Sequence, residues 1–457
     1  MKMFYIVLLT LLSSTLISAN ESFISALKNT KVESQLRYFS MRVNIDELNE
    51  EPAGVYENHL KSTKASNAVG GYIGFVTPTF NGLNIGVRGY TSQPIFNNPK
   101  SEGGLDLLRD NQDGYSVLGE AFVKYRYKNS FIKAGRQLLS EYGFLSDKDI
   151  RMTPYTYEGV VIENRDFKNI TLRVGDIFKV KPLNAVGFTD FINASGNTLK
   201  HNSSDRHNFV GSYDPNNFNA SGQYIGPNQN LYLASFVFTD ESTNFEAWNY
   251  YCENFVNSFY TTLTHSKTMG DFKNSIGVQG VKQDSVGDHV IGQIDTYALG
   301  LKLKSKYKNF SLKYALNKTR YNENSYNGGE LIINWGNNRL FNSLYYNDSQ
   351  EAGAFSNSIT ATYDSLKYNT SLHLVASKFD FPNDLNDRYT TQDNNEYDIV
   401  LNYKAHFDES LNIALKLIYV DFKTNYDFAE YERVHGYDIA HINNTISEVR
   451  FIMNYTF

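Results

Sequence analysis

A single cysteine, Cys252, stands in a chain of 457 residues, so no intramolecular disulfide is possible. After residue 19 no apolar run approaches the about 20 residues that a membrane-crossing helix requires, which excludes a helical membrane bundle. Lys and Arg are scattered and outnumbered, 43 against 49 acidic residues, for a net charge of −6. Without a clustered basic face there is no nucleic-acid footprint. No Pro/Gly linker or break in composition divides the chain, so nothing marks a domain boundary. Tryptophan is scarce, with 2 residues, yet aromatics reach 15% because Tyr and Phe supply 34 and 31. Tyr recurs near the ends of strand-like segments, which is how aromatic girdles at two lipid–water interfaces use it.

The two termini carry the strongest signals. Residues 1–19 read as a cleaved secretory signal: Lys2 supplies the positive start, Phe4 to Leu12 is apolar apart from Thr10, and Leu16-Ile17-Ser18-Ala19 ends in small residues. The mature chain, 20–457, is then one domain. At the other end, Val449, Phe451, Met453, Tyr455 and Phe457 alternate with Glu448, Arg450, Asn454 and Thr456, giving a strand with one apolar and one largely polar face. A closing strand that stops on Phe resembles the last strand of a bacterial outer-membrane barrel, in which the final Phe is an assembly signal. That resemblance implies the barrel assembly machinery and outer-membrane lipid as partners.

Between the ends, strand-like segments alternate short turns with long polar loops. Ser116 to Tyr127 turns at Lys128-Asn129-Ser130 into Phe131 to Gln137, and Tyr297 to Tyr307 turns at Lys308-Asn309 into Phe310 to Arg320. The loops 91–115, 138–155, 179–230, 379–395 and 422–445 are rich in Asn, Asp, Ser, Gly and Pro. So many long loops argue against a soluble domain and suit the outer ends of a membrane barrel. Alternation gives about 20 strands. The segment 327–347 accounts for two of them, but its Gly328-Gly329 and Gly336-Asn337-Asn338 suit a structured loop equally well. Without it the number is 18, even as bacterial single-chain barrels require.

A cation facing lipid at mid-depth costs about 2–4 kcal/mol, so charges on these strands belong to the lumen. With Val32, Leu36 and Tyr38 outward, Glu33, Gln35 and Arg37 point in. The same alternation turns Arg88, Glu120, Lys124, Arg126, Arg173, Lys302, Lys304, Lys313, Lys416 and Arg450 inward, with Val117, Ala121 and Val123 outward. The set predicts a basic track that attracts anions or carboxylates, with Glu33, Glu120 and Asp398 as opposing charge. Taken singly, each of these charges reads equally well as solvated lumen filling.

Residues 131–160, FIKAGRQLLSEYGFLSDKDIRMTPYTYEGV, resemble the OprD family of substrate-selective outer-membrane porins. The matching residues are Lys133-Ala134-Gly135-Arg136-Gln137, Ser146-Asp147, Arg151 with Pro154, and Tyr157-Glu158-Gly159; the C-terminal Glu448-Val449-Arg450 with Asn454-Tyr455 and Phe457 also fits. The resemblance implies an all-β fold, a transmembrane antiparallel up-and-down β-barrel of 18 strands with inward-folded extracellular loops. It implies a constriction made by loop 138–155 with help from 327–347, which brings Arg136, Asp147, Asp149 and Arg151 to the narrow point. It also implies passage of small carboxylate-bearing solutes such as amino acids, peptides or aromatic acids, without catalysis, cofactor or metal. Monomer and trimer both stay open. One departure concerns Arg136, which alternation places on the face of Ile132 and Ala134: either a bulge re-aims it or it sits at the strand end, outside the hydrocarbon. A second concerns Lys378, Lys416 and Arg450, which stand where the family is Arg-rich, so the identity of the solute does not carry over.

Two other classes compete. An outer-membrane hydrolase needs a nucleophile, a base and an orienting group, and His201, Ser203, Ser204, Asp205 and His207 share one loop. Ser/Asn-rich loops produce such clusters by chance, and His201 with His207 lacks the further ligands of a metal site. Asp110 to Gly114 has part of a Ca²⁺ loop but no bidentate Glu. An adhesin or structural barrel would be distinguished by a closed lumen.

Overall fold

The computed structural model describes residues 28–50, 57–96, 98, 104–146, 149–195, 214–219, 223–333, 335–345, 349–381, 393–407, 409–425 and 441–457. Asp147, the segment 1–19 and the cluster 201–207 lie outside the described residues. Eighteen strands follow one another: β1 Lys31–Glu50, β2 Glu57–Val76, β3 Leu83–Pro94, β4 Tyr115–Tyr127, β5 Ser130–Gln137, β6 Thr156–Asn164, β7 Ile170–Lys181, β8 Leu231–Thr239 and β9 Thr243–Cys252. The second half comprises β10 Val256–Met269, β11 Phe272–Ser285, β12 Asp295–Tyr307, β13 Phe310–Thr319, β14 Phe355–Ser365, β15 Thr370–Asp380, β16 Asn394–His406, β17 Leu411–Asn425 and β18 His441–Thr456. Each pairs antiparallel with its neighbour, and β1 pairs with β18 from Gln35↔Thr456 to Glu50↔His441. The sheet therefore closes on itself and leaves no free edge, which every strand in lipid requires. Among the described residues the segment 327–347 contains no strand: it is the structured loop, and the number is 18.

The alternation determines the two faces. Ile73, Leu299 and Phe310 are 64%, 58% and 60% exposed on the outside, an apolar belt that only lipid would cover. Rings pair at the short-turn end, Phe272 with Tyr307 at 4.9 Å and Phe310 with Tyr363 at 4.8 Å, as one girdle of such a belt. The β4–β5 and β12–β13 turns hold two residues. Lys128 and Lys308 take φ of 52° and 50° as the first of the two, a left-handed conformation that twists the backbone to suit a hairpin.

The wall is uneven. β1 and β2 run 20 residues each, whereas β5 runs 8 and β6 runs 9. About 9–11 residues cross a bilayer, so the rim is low where loop 138–155 leaves the wall. That loop turns inward and buries Leu139, Tyr142, Phe144 and Leu145 against Trp248, Tyr250 and Tyr260. Gly143 takes φ 64°, and a Cβ there would meet the Tyr250 hydroxyl oxygen at 2.0 Å, so the loop closes on the wall only with glycine. The later loop packs beside it: the Asn337 N–H donates to the Phe144 carbonyl at 3.0 Å, and the Tyr157 hydroxyl to the Trp335 carbonyl at 2.8 Å.

A bulge between Arg88 and Gly89 leaves Gly119 unpaired and changes the phase of β4. Beyond it Val117 pairs with inward Tyr90 and Leu118 is 44% exposed, so Val117 faces in and not out.

Candidate functional site

The inward loop brings Asp149 and Arg151 to Arg37 on the closing seam, and strand register places Arg450 and Lys416 further along the same seam. Arg37 of β1 donates from Nη1 and Nη2 to the Asp149 carboxylate at 2.6 and 2.9 Å, from Nη1 to the Arg151 carbonyl at 2.6 Å, and from Nε to Asn454 Oδ1 at 2.7 Å. Asp149 and Arg151 belong to the inward loop, so the guanidinium fixes that loop to the closing seam β1–β18. Four residues further along the seam, opposite Met41, Arg450 binds Glu448 and the Tyr345 hydroxyl, and Tyr345 donates to Glu448 at 2.9 Å. Lys416 lies opposite Arg450 on β17, with its ammonium 5.1 Å from the Tyr345 ring. Burial, with Arg450 close by, pulls the Arg151 guanidinium below its ordinary value.

The second loop is anchored with the opposite polarity. Arg339 grips Glu246 of β9 bidentately at 2.6 and 3.0 Å, and the Trp248 indole N–H donates to the same carboxylate at 3.0 Å. Burial works against the Arg339 charge, but the Glu246 carboxylate holds its pKa above the ordinary value. Phe341 of this loop lies 4.3 Å from the Lys302 ammonium. Sequence reasoning missed Glu246, Arg339 and Tyr345, and marked Asn454 only as part of the polar face of the last strand and of the family pattern. A charged residue between glycines and asparagines in the 327–347 loop was the only available signal for Arg339.

The inward cations divide into two kinds. Arg88 is bound by Glu120 and Glu33, each at 2.8 Å, and Arg173 by Glu163 at 2.7 Å. Lys124, Arg126, Lys302, Lys304, Lys313 and Lys416 have no carboxylate partner among the described residues. Lys302 and Lys304 share one face of β12, and Lys304 lies directly opposite Lys313, so three ammonium groups stand on two adjacent strands toward the short-turn end. Asp398, expected as opposing charge in the lumen, is 4% exposed beside Glu396.

Two placements correct the expectations. Arg173 points inward, but its side chain is 3% exposed, with Glu163 beside it and the rings of Tyr142 and Trp248 over it. The inward loop covers it, so it does not border the water path. Arg136 is not at the constriction: it lies opposite outward Ala121 and Glu158, binds Glu158 at 3.0 Å and stacks on Phe188 at 4.5 Å. It stands one residue before the end of β5 on the low rim, so of the two alternatives the strand-end position holds.

A closed antiparallel barrel with an apolar belt, a charged inner face and two loops folded into the lumen is the architecture of an outer-membrane channel. The family model for outer membrane porins of the OprD family matches residues 97–457, and the chain belongs to that family, which places it in the bacterial outer membrane. Its fold is similar to that of OpdK from Pseudomonas aeruginosa, solved with vanillate, at TM-score 0.64 and 14% identity over 93% of this chain and 98% of that one. OpdQ from the same organism gives 0.64 and 17% over 94% and 98%. A BenF-like porin from Pseudomonas fluorescens gives 0.64 and 16% over 94% and 99%. Comparison with curated proteins gives no match.

Proposed function

We infer that this porin is selective for small anionic solutes, above all carboxylates such as amino acids, peptides or aromatic acids, which it passes by diffusion and without catalysis. The observation that carries the reading is the set Lys302, Lys304 and Lys313, which stand on two adjacent strands of the inner wall without a carboxylate partner among the described residues. Fixed positive charge on a narrow, low-dielectric wall raises the local concentration of anions, and lysine offers it as a mobile point charge. OpdK, which shares the fold, was solved with an aromatic carboxylate. An adhesin has no use for unpaired cations on an inner face. Purified protein in planar bilayers should give discrete channels whose chloride or potassium current falls on adding benzoate or glutamate, and less so with lysine. Well-folded protein without channels would refute the porin reading; block that is equal for anions and cations would refute the selectivity.

The mature protein is proposed to begin at Asn20, which N-terminal mass analysis tests. Phe457, 71% exposed with its N–H bound to the Ser34 carbonyl, is the proposed handle for the barrel assembly machinery. Deleting it should leave unfolded chain in the periplasm; normal heat-modifiable barrel would exclude that role.

A further inference from the structure

Arg37 differs from Arg88 and Arg450 in where its carboxylate comes from. Their partners Glu120, Glu33 and Glu448 stand on strands, whereas Asp149 comes from the inward loop. The Asp149 side chain is 51% exposed and that of Arg37 8%, so the carboxylate lies between the guanidinium and the lumen water. It is held through both oxygens, the fork-to-fork geometry by which arginine takes any free carboxylate. If Asp149 left, Asn454 Oδ1 and the Arg151 carbonyl would still orient the guanidinium through Nε and Nη1. The position would be a formed, desolvated anion site.

We propose that Arg37 is a carboxylate-binding subsite occupied at rest by the chain's own Asp149, and that a solute carboxylate enters it by displacing Asp149. This rests on the carboxylate reading above and adds to it an internal competitor. Exchange of one carboxylate for another conserves the ion pair, so the barrier to entry is the tethering of the loop and not the loss of a charge interaction. Because Asp149 holds the subsite, the apparent affinity for a solute is the intrinsic affinity reduced by the fraction of time the subsite is vacant.

The test is block of single channels of the full-length protein by benzoate, with uncharged benzamide as control. If Asp149 occupies Arg37 about nine-tenths of the time, Asp149→Asn tightens benzoate block about tenfold and leaves benzamide unaffected. In an Arg37→Gln background the same change should alter block less than about twofold, since the competitor then has nothing to compete for. An equal gain with and without Arg37 would make the effect one of general lumen charge and overturn the proposal. Should Arg37→Gln fail to assemble, Arg37→Lys keeps the charge without the fork; a reduced gain there supports the subsite and an undiminished gain overturns it. Equal block of wild type and Asp149→Asn refutes the subsite alone. Open channels that benzoate does not block in any variant refute the carboxylate reading beneath it.

Discussion

Replacing Lys302, Lys304 and Lys313 together by Gln should remove most of the anion preference. Lys304 and Lys313 are a directly opposed pair, with Cβ atoms about 5 Å apart, and Lys302 follows two residues along β12, about 7 Å away. An anion over this trio lies about 6 Å from each charge. In water at that distance each contributes about 0.7 kcal/mol, and the three about 2 kcal/mol. Screening at 0.1 M salt, with a Debye length of about 10 Å, reduces the sum to about 1.1 kcal/mol, or about sixfold in local anion concentration. At 1 M the Debye length is about 3 Å and less than about twofold remains. Reversal potentials across a salt gradient measure this directly. The triple variant should lose about sixfold in anion-to-cation permeability at low salt and little at high salt. A control is Arg450→Gln with Glu448→Gln, which removes a bound pair of zero net charge and should change the ratio less than about twofold. An unchanged ratio in the triple variant, or an equal change in the control, would refute the reasoning that unpaired charge sets selectivity.

Three further outcomes follow from the loops and turns. Glu246→Gln leaves Arg339 without its bidentate partner; a buried pair broken on one side costs about 3–5 kcal/mol, here about 2 because Arg339 is 26% exposed. The later loop should then undock about 30-fold more often, seen as added noise in single-channel current, and a quiet channel would exclude the anchor. Burial raises the Glu330 carboxyl above its ordinary value, so the native loop binds more protons than the unfolded one. Its contribution is full at low pH and is lost as pH rises through the raised value, so emission of nearby Trp335 should report loosening with rising pH in wild type but not in Glu330→Gln. Identical profiles would remove Glu330 as the cause. Lys308→Gly relieves a left-handed residue and should stabilise the barrel by about 1 kcal/mol in urea unfolding from lipid; a loss of stability would show that the lysine itself is needed at the turn.

Much of the fold was legible because β-strands in lipid obey one strict rule. Every second residue must tolerate hydrocarbon, so the faces of Val32 to Tyr38, Tyr297 to Tyr307 and Val449 to Phe457 could be read two residues at a time. The rule failed at Val117, where one unpaired glycine inverts the alternation. It was silent on 327–347, where loop and hairpin share the same residues. Direction was legible, but partnership was not. Arg88, Arg173, Arg450 and Lys302 all read as inward charge, yet the first three meet carboxylates and Lys302 does not.

The sequence alone determined the membrane, the barrel and the inward side of nearly every charge, since each follows from local alternation, the two termini and the cost of a charge in lipid. The tertiary structure decided which of those charges remain available to a solute. Ion pairing joins residues far apart in the chain, Arg37 to Asp149 and Glu246 to Arg339, and only closure of the barrel and the inward fold of two loops determine which carboxylate reaches which cation.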